Sequence, residues 1–422
     1  MRPAAGGARG DDEALGLPAP PPLSLYVHLP WCLRKCPYCD FNSHEWRDGG
    51  DIPEQRYVDA LQADLEASLP SIWGRGVQTV FIGGGTPSLF SPAAIERLLT
   101  MIRTRVKLAP DAEITLEANP GTFETQRFAA FAQAGVTRLS IGVQSFSDDA
   151  LRALGRVHDA AQARAAIEEA ARAFPTFNID LMYALPGQTL DGLRRDLEAA
   201  LAFEPPHLSL YHLTIEPNTL FARRPPPLPD DELAADMQAL LEDMAGAAGL
   251  QRYEISAWAR PGHRCRHNLN YWQFGDYLGI GAGAHGKLSF HDRIQRQARL
   301  RHPLRYMKAA LGETAFGGTV LGGTVLGEPA LSADPAQPTI EVLRTLTRDD
   351  LPFEFMLNAL RLIDGVPTSL FTERTGLDLS VIAGELSRAA RRGLLDEDPT
   401  RLQATPLGLQ FLNDLQALFL RD

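Results

Sequence analysis

The sequence predicts an α/β fold, a partial (β/α)6 barrel followed by a C-terminal, mainly helical, winged-helix-like domain. Three observations carry that reading. Six short apolar, β-branched or aromatic runs alternate with segments of three-to-four-residue periodicity, the pattern of parallel strands with covering helices. Polar or glycine-rich residues sit just after or near the ends of five of these runs, where parallel α/β sheets collect ligands. After Thr214 the rhythm changes.

Residues 1–22, rich in Ala, Gly and Pro and closing on Pro20, Pro21 and Pro22, read as a disordered tail. The runs are LSLYVHL (23–29), TVFIGG (79–84), EITLEAN (113–119), RLSIGV (138–143), NIDLMYA (178–184) and HLSLYHL (207–213). Helical periodicity fills the gaps at 54–69, 93–104 and 191–203, and six repeats suit an open barrel over 23–250 better than a closed eight-stranded one. An extension over 251–340 holds a strand at YEISAWA (253–259), a Gly/aromatic segment (267–286) and a duplicated GGTVLGGTVLGE (317–328) that reads as an insertion loop. Residues 341–422 return to helical patterns, with a last amphipathic helix near 406–420. No basic face marks that region for DNA.

A chain of 422 residues with 45% hydrophobic and 22% charged residues can bury a sizeable core without disulfides. Lys and Arg number 41 against 52 Asp and Glu, a net −11, which argues against a broad nucleic-acid footprint. The first residues lack an apolar signal-peptide core, and no run reaches the ~18 apolar residues of a membrane span. A soluble, cytoplasmic protein is expected.

Three of the four cysteines fall within eight residues, as Cys32-x3-Cys36-x2-Cys39 directly after the first strand. A [4Fe–4S] cluster is normally held by four thiolates, so three would leave one iron open. The amino and carboxylate groups of S-adenosylmethionine can chelate such an iron, and one electron passed to its sulfonium cleaves a carbon–sulfur bond to release a 5′-deoxyadenosyl radical. The plainer alternative is a zinc site completed by Cys265 or a histidine. Tyr38, between the last two cysteines, serves either as a ring near the cluster or adenine or as loop packing. Gly84, Gly85 and Thr86 in GGGTPS allow a ligand to approach the backbone closely. Glu117 can accept from an ammonium or a ribose hydroxyl, Gln144 can donate and accept, Arg156 can clamp a carboxylate, and Asp180 can hold a ribose. Taken singly, each charged group could be a solvated surface residue; on strand-end loops of one sheet they converge.

Residues 23–290 resemble the coproporphyrinogen-oxidase-like branch of the radical-SAM superfamily. The resemblance rests on YVHLPWCLRKCPYCDFNSH (26–44), FIGGGTPS (81–88), LEANP (116–120), GVQSF (142–146), LGRVH (154–158) and NIDLMYALPGQT (178–189). It implies a radical-SAM barrel in which Cys32, Cys36 and Cys39 bind the cluster. Tyr26, Gly84, Gly85, Thr86, Glu117, Gln144, Arg156 and Asp180 would line the S-adenosylmethionine site. Oxygen-independent oxidases of the branch carry a further cysteine two places after the third, where this chain has Phe41, and a longer N-terminal arm. The HemW-type haem chaperones instead show CxxxCxxCDFNSH and an HNxxYW box, matched here by Cys32–His44 and by His267, Asn268, Tyr271 and Trp272. The departures are the GGTVL insertion and GAGAHG, where a serine is expected after the histidine.

The resemblance therefore implies a haem-binding protein that passes haem to acceptor proteins, respiratory haem proteins among them, with the cluster and S-adenosylmethionine supporting transfer or dimerisation. It leaves room for a homodimer and for weak membrane association. In the box, His267 is the expected haem ligand, as imidazole is a usual axial ligand, with His285 and Cys265 as further candidates and Tyr271 and Trp272 as flat porphyrin-facing surface. The competing expectation is oxidative decarboxylation of coproporphyrinogen III. An RNA-modifying role is disfavoured by the net charge.

Overall fold

Among the described residues of the computed structural model (15–47, 50–313 and 336–421), twelve strands join in one mixed sheet. Its centre is the expected parallel series. β1 (Leu23–Leu29), β2 (Gly76–Gly84), β3 (Lys107–Ala118), β4 (Arg138–Gln144), β5 (Phe177–Tyr183) and β6 (His207–His212) pair in that order. Beyond β6 a hairpin of β7 (Gln251–Glu254) and β8 (Ala257–Ala259) adds antiparallel. At the opposite edge β9 (Asp276–Ile280) runs parallel to β1, and β10 (His285–Ser289), β11 (Ile294–Arg299) and β12 (Ile340–Thr345) follow antiparallel. β7 and β12 are the two ends, so the barrel is open.

Helices cover the parallel strands: α1 (Glu54–Ser68), α2 (Pro92–Arg105), α3 (Ala160–Ala173) and α4 (Leu190–Leu201). Their starts are chemically marked. Ser91 accepts from the Ala94 amide, Asp159 and Gln162 form a reciprocal capping box, and Thr189 accepts from the Gly192 amide. On α1, Tyr57, Leu61 and Leu65 recur every four residues and are fully buried. Each such side chain contributes roughly 1.5–3 kcal/mol of burial. Buried ions fasten the antiparallel extension to this core. Asp64 of α1 accepts from Arg299 Nε (2.9 Å), Tyr306 Oη (2.8 Å) and Thr339 Oγ1 (2.7 Å). Asp276 likewise takes the Lys287 ammonium at 2.9 Å and Arg75 Nη1 at 2.8 Å.

The structure departs from the sequence reading in several places. YEISAWA folds as two strands because the chain reverses between Glu254 and Ala257. The Gly/aromatic segment supplies α5 (Arg266–Trp272) and two strands of the sheet, β9 and β10. Residues 340–345 belong to the sheet, so the helical C-terminal part begins after them. That part has a second core, with Phe355, Phe371 and Leu415 buried, and a two-residue ribbon pairing Val366–Pro367 with Arg401–Leu402. The final helix breaks at Phe411, whose backbone (φ −111°, ψ 45°) leaves the helical range. The tail expected over 1–22 is ordered from Leu15 on: Leu15 and Leu17 are buried in the second core, and their amides bond Asp292 and His291 carbonyls. Apolar leucines among the prolines give that segment something to bury. The GGTVL insertion lies outside the described residues. None of the described helices is long and apolar enough to cross a membrane.

Candidate functional site

The loop leaving β1 carries the three clustered cysteines to a cavity of about 460 Å³ at the carboxyl ends of the parallel strands. A short ribbon of Trp31–Cys32 with His44–Glu45 closes the loop, and the Lys35 ammonium donates to the carbonyls of Phe41 and Ser43. Cys32, Cys36 and Cys39 are free thiols on one cavity wall. Burial, then the neighbouring Cys39 and Cys36, pushes the Cys32 thiol up to about 11.

Gly84, Gly85, Thr86, Glu117, Gln144, Arg156, Asp180 and Tyr38 line the same cavity. Strand register brings them together: Gly84 pairs with Leu29, Glu117 with Ser140, and Gly142 with Asp180. At Gly84 (φ +124°) a Cβ would lie 2.7 Å from the Leu29 carbonyl, so only glycine lets β2 run beside the cysteine loop. The Gly84 amide donates to Glu117 Oε2 (3.2 Å). Burial, then the nearby Asp180 charge, raises the Glu117 carboxyl to about 8, so at neutral pH it is mostly protonated. Asp180 is raised too, by burial, while Asn178 Nδ2 (2.7 Å) and Ser140 Oγ (3.2 Å) donate to it. Gln144 sits at an irregularity in β4 with φ +68°, a conformation that turns the strand end and costs about 1–3 kcal/mol.

Arg156 ties the cysteine loop to the strand ends. Its Nη1 lies 3.7 Å from Cys36 Sγ, and its Nη2 donates to Asn119 Oδ1 (2.5 Å) and the Gly142 carbonyl (2.8 Å). Its Nε is buried without a hydrogen-bond partner among the described residues. Asn119 passes the contact on by donating to Thr86 Oγ1 at 2.9 Å.

A second cavity, about 720 Å³, adjoins the first and shares Asp40, Phe41, Gly84 and Glu117 with it. Tyr26 lines this second cavity, beside the shared Glu117; its hydroxyl donates to His28 Nδ1 (2.9 Å). Tyr271, Trp272 and His285 line it as well. His267 does not. It is buried against Phe81, donates from Nδ1 to Thr79 Oγ1 (2.7 Å) and accepts from the Tyr271 hydroxyl at Nε2 (3.0 Å). Thr79 itself donates to Ser24, which fixes that tautomer. Burial lowers the His267 pKa to about 3, so the ring is neutral with both nitrogens engaged. In this structure the ring bridges Thr79 and Tyr271. Cys265 is remote as well: it is buried at the start of α5, its Sγ 3.6 Å from Glu113 Oε1.

Residues 26–200 match the Radical SAM superfamily and residues 346–411 the HemN C-terminal domain. The Escherichia coli protein named "Heme chaperone HemW" is 46% identical over 404 residues, covering 95% of this chain and 99% of that protein. The Haemophilus influenzae protein of the same name is 44% identical, covering 96% and 100%. This chain belongs to the HemW family. The solved structure of coproporphyrinogen III oxidase, HemN, from Escherichia coli superposes with a TM-score of 0.76 at 24% identity, covering 95% of this chain and 90% of that one, and it shares the fold.

In this HemW-family chain the thiol cavity suits an iron–sulfur cluster and a polar nucleotide. Among the described residues no three His, Cys, Asp or Glu side chains gather closely enough for a single metal ion. Of the two fourth ligands expected for zinc, Cys265 does not line the cavity, while a histidine, His212, does. Three free thiols lining one cavity suit the donor set of an iron–sulfur cluster, and the Arg156 Nε beside Cys36 is a buried donor without an acceptor among the described residues. Asn119 and Ser140 were not anticipated. Asn119 lies in the LEANP motif two positions past Glu117, on the same face of the strand end, and that period of two was the available signal.

Proposed function

We propose that this protein binds haem and delivers it to acceptor proteins, and that Cys32, Cys36 and Cys39 hold a [4Fe–4S] cluster with S-adenosylmethionine at the open iron. The observation that carries the reading is the second, aromatic cavity opening beside the thiol cavity across Gly84 and Glu117, in a chain whose near-full-length relatives are named heme chaperones. When bound, the cluster supplies an electron donor beside the sulfonium.

The chain's own residues do the rest. Arg156 neutralises charge beside Cys36 and offers Nε to the cluster–nucleotide pair. The Gly84–Gly85 backbone gives close approach, and Thr86 is held by Asn119. Protonated Glu117 presents a neutral donor at neutral pH, and Asp180 and Gln144 stand ready for hydroxyl or amino groups. The setting is cytoplasmic, the acceptors are haem proteins such as respiratory ones, and a homodimer with weak membrane association completes the proposal.

Anaerobic reconstitution with iron, sulfide and haem counted per chain tests it, followed by transfer to an apo-haem protein. The expected result is a four-iron cluster, bound haem and transfer. Stoichiometric protoporphyrinogen from coproporphyrinogen III, S-adenosylmethionine and reductant would overturn it.

A further inference from the structure

A third cleft, of about 500 Å³, shares Cys36 and Cys39 with the thiol cavity, so these two residues touch both spaces. Three pieces of chain build it: the cysteine loop, the end of the helix Asp148–Ala153 and the short helix Leu220–Arg223. They are fitted closely. At Gly155 (φ +70°) a Cβ would lie 2.7 Å from Pro37 Cδ, and the Phe221 amide donates to the Pro37 carbonyl (3.0 Å).

The charge of this cleft is one-sided. Arg34, Lys35, Arg152 and Arg223 line it, and none of its lining residues is acidic. All four are exposed; Arg152 pairs with the exposed Asp149, while Arg34 and Arg223 form no ion pair among the described residues. In a chain of net charge −11, such a local excess of cations draws an acidic partner to one place. Leu220, 54% exposed, sets an apolar side chain among these cations. A small oxyanion would leave that leucine in water, whereas a protein surface covers leucine and cations together. The thiols decide which protein. A redox centre carried to this cleft meets two of the proposed cluster ligands without entering the cavity where the nucleotide is placed.

We infer that this cleft docks a small acidic protein carrying a low-potential one-electron centre, and that Arg34, Lys35, Arg152 and Arg223 steer it onto the cysteine loop. One electron leaves the reduced carrier, which is oxidised by one, and enters the cluster, which is reduced by one; no bond forms or breaks. The inference rests on the cluster proposed above. Electron-transfer encounters bury less than ~1,200 Å², and charge complementarity sets their rate more than area does.

The probe is a flavodoxin, an acidic one-electron carrier. Its hydroquinone is mixed anaerobically with the cluster-reconstituted full chain while bleaching of the cluster is followed, and binding of the oxidised flavodoxin is measured by calorimetry. Rate and affinity should both fall with rising salt, as the screening length shrinks from ~30 Å at 0.01 M to ~3 Å at 1 M. Arg152→Glu combined with Arg223→Glu should slow reduction at low salt by at least about 10-fold, the lower end of electrostatic steering, and weaken binding. Reduction by photoreduced deazariboflavin, small and uncharged, should stay at the wild-type rate. Arg391→Glu combined with Arg392→Glu, the same change of net charge at exposed positions of the C-terminal part, should alter neither rate. If the chain takes up no cluster, the function proposed above fails and this docking site with it. If a cluster forms and the Arg152/Arg223 variant keeps the wild-type rate and affinity, the docking site alone is overturned. Equal slowing in the Arg391/Arg392 variant overturns it also, since net charge and not the cleft is then at work, as does equal slowing with deazariboflavin, which means a damaged loop. Ovalbumin, acidic and without a redox centre, binding as tightly as flavodoxin would show that the cleft does not select a carrier.

Discussion

The two adjoining cavities are built in opposite ways. The thiol cavity draws its cysteines from a single loop of eight residues and the rest from the ends of consecutive strands, so its chemistry lies close together along the chain. The aromatic cavity is assembled from pieces near residues 26, 41, 272, 285, 298 and 342, brought together by the placement of β9 beside β1. A site for a reactive group can be written in a contiguous motif. A site for a large flat cargo depends on topology, and its walls are held by buried ions and hydrogen-bonded struts.

The contrast can be broken at either cavity. Cys36→Ser should cause the largest change: iron and sulfide per chain fall close to zero after anaerobic reconstitution, while haem binding to the aromatic cavity survives. Retention of a full cluster would remove Cys36 from the donor set. On the other side, Asp276→Ala leaves the Lys287 ammonium buried without its carboxylate beneath the aromatic cavity. Breaking such a pair costs about 3–5 kcal/mol, read as a lower denaturation midpoint, and a loss below ~1 kcal/mol would show that the pair bears no weight there. His267→Ala should cost less, about 1–3 kcal/mol, because it orphans the Tyr271 hydroxyl and Thr79. The denaturation midpoint reads that loss, and an unchanged midpoint would show that the strut bears no weight.

The finest probe is a slope. Glu117 is raised to about 8 in the folded chain against about 4.3 when unfolded. Between those values the native state holds the extra proton, so stability should fall as pH rises through that window, by at most ~1.4 kcal/mol per pH unit. Glu117→Gln should flatten that part of the curve. An unchanged slope in the variant would mean the carboxyl is not raised by the wall between the cavities.

Much of the thiol cavity was legible because its signals are local. Cysteine spacing, a glycine triplet after an apolar run and acidic strand ends each carry their reason with them. The parallel order of β1 to β6 followed from the same alternation. What escaped was tertiary. No periodicity reveals that β9 pairs with β1, so the walls of the aromatic cavity could not be assembled from the sequence. The box histidine stands out in sequence because aromatics flank it, but its bonds to Thr79, 188 positions earlier, and Tyr271 are tertiary facts that the sequence does not announce. Gln144 reached its cavity through a positive φ, which residue type alone does not announce.

Leu15 and Leu17 give this architecture an order of events. Their backbone bonds lie on the turn at His291 and Asp292, and a Cβ on Gly376 would strike the Leu15 carbonyl at 2.4 Å. On the ribosome, these leucines emerge long before Phe371 or Gly376, at roughly 5–20 residues per second. They must wait for their partners, so the latch between the two cores shuts only once residues 371–376 have emerged, after the sheet they precede has had time to form.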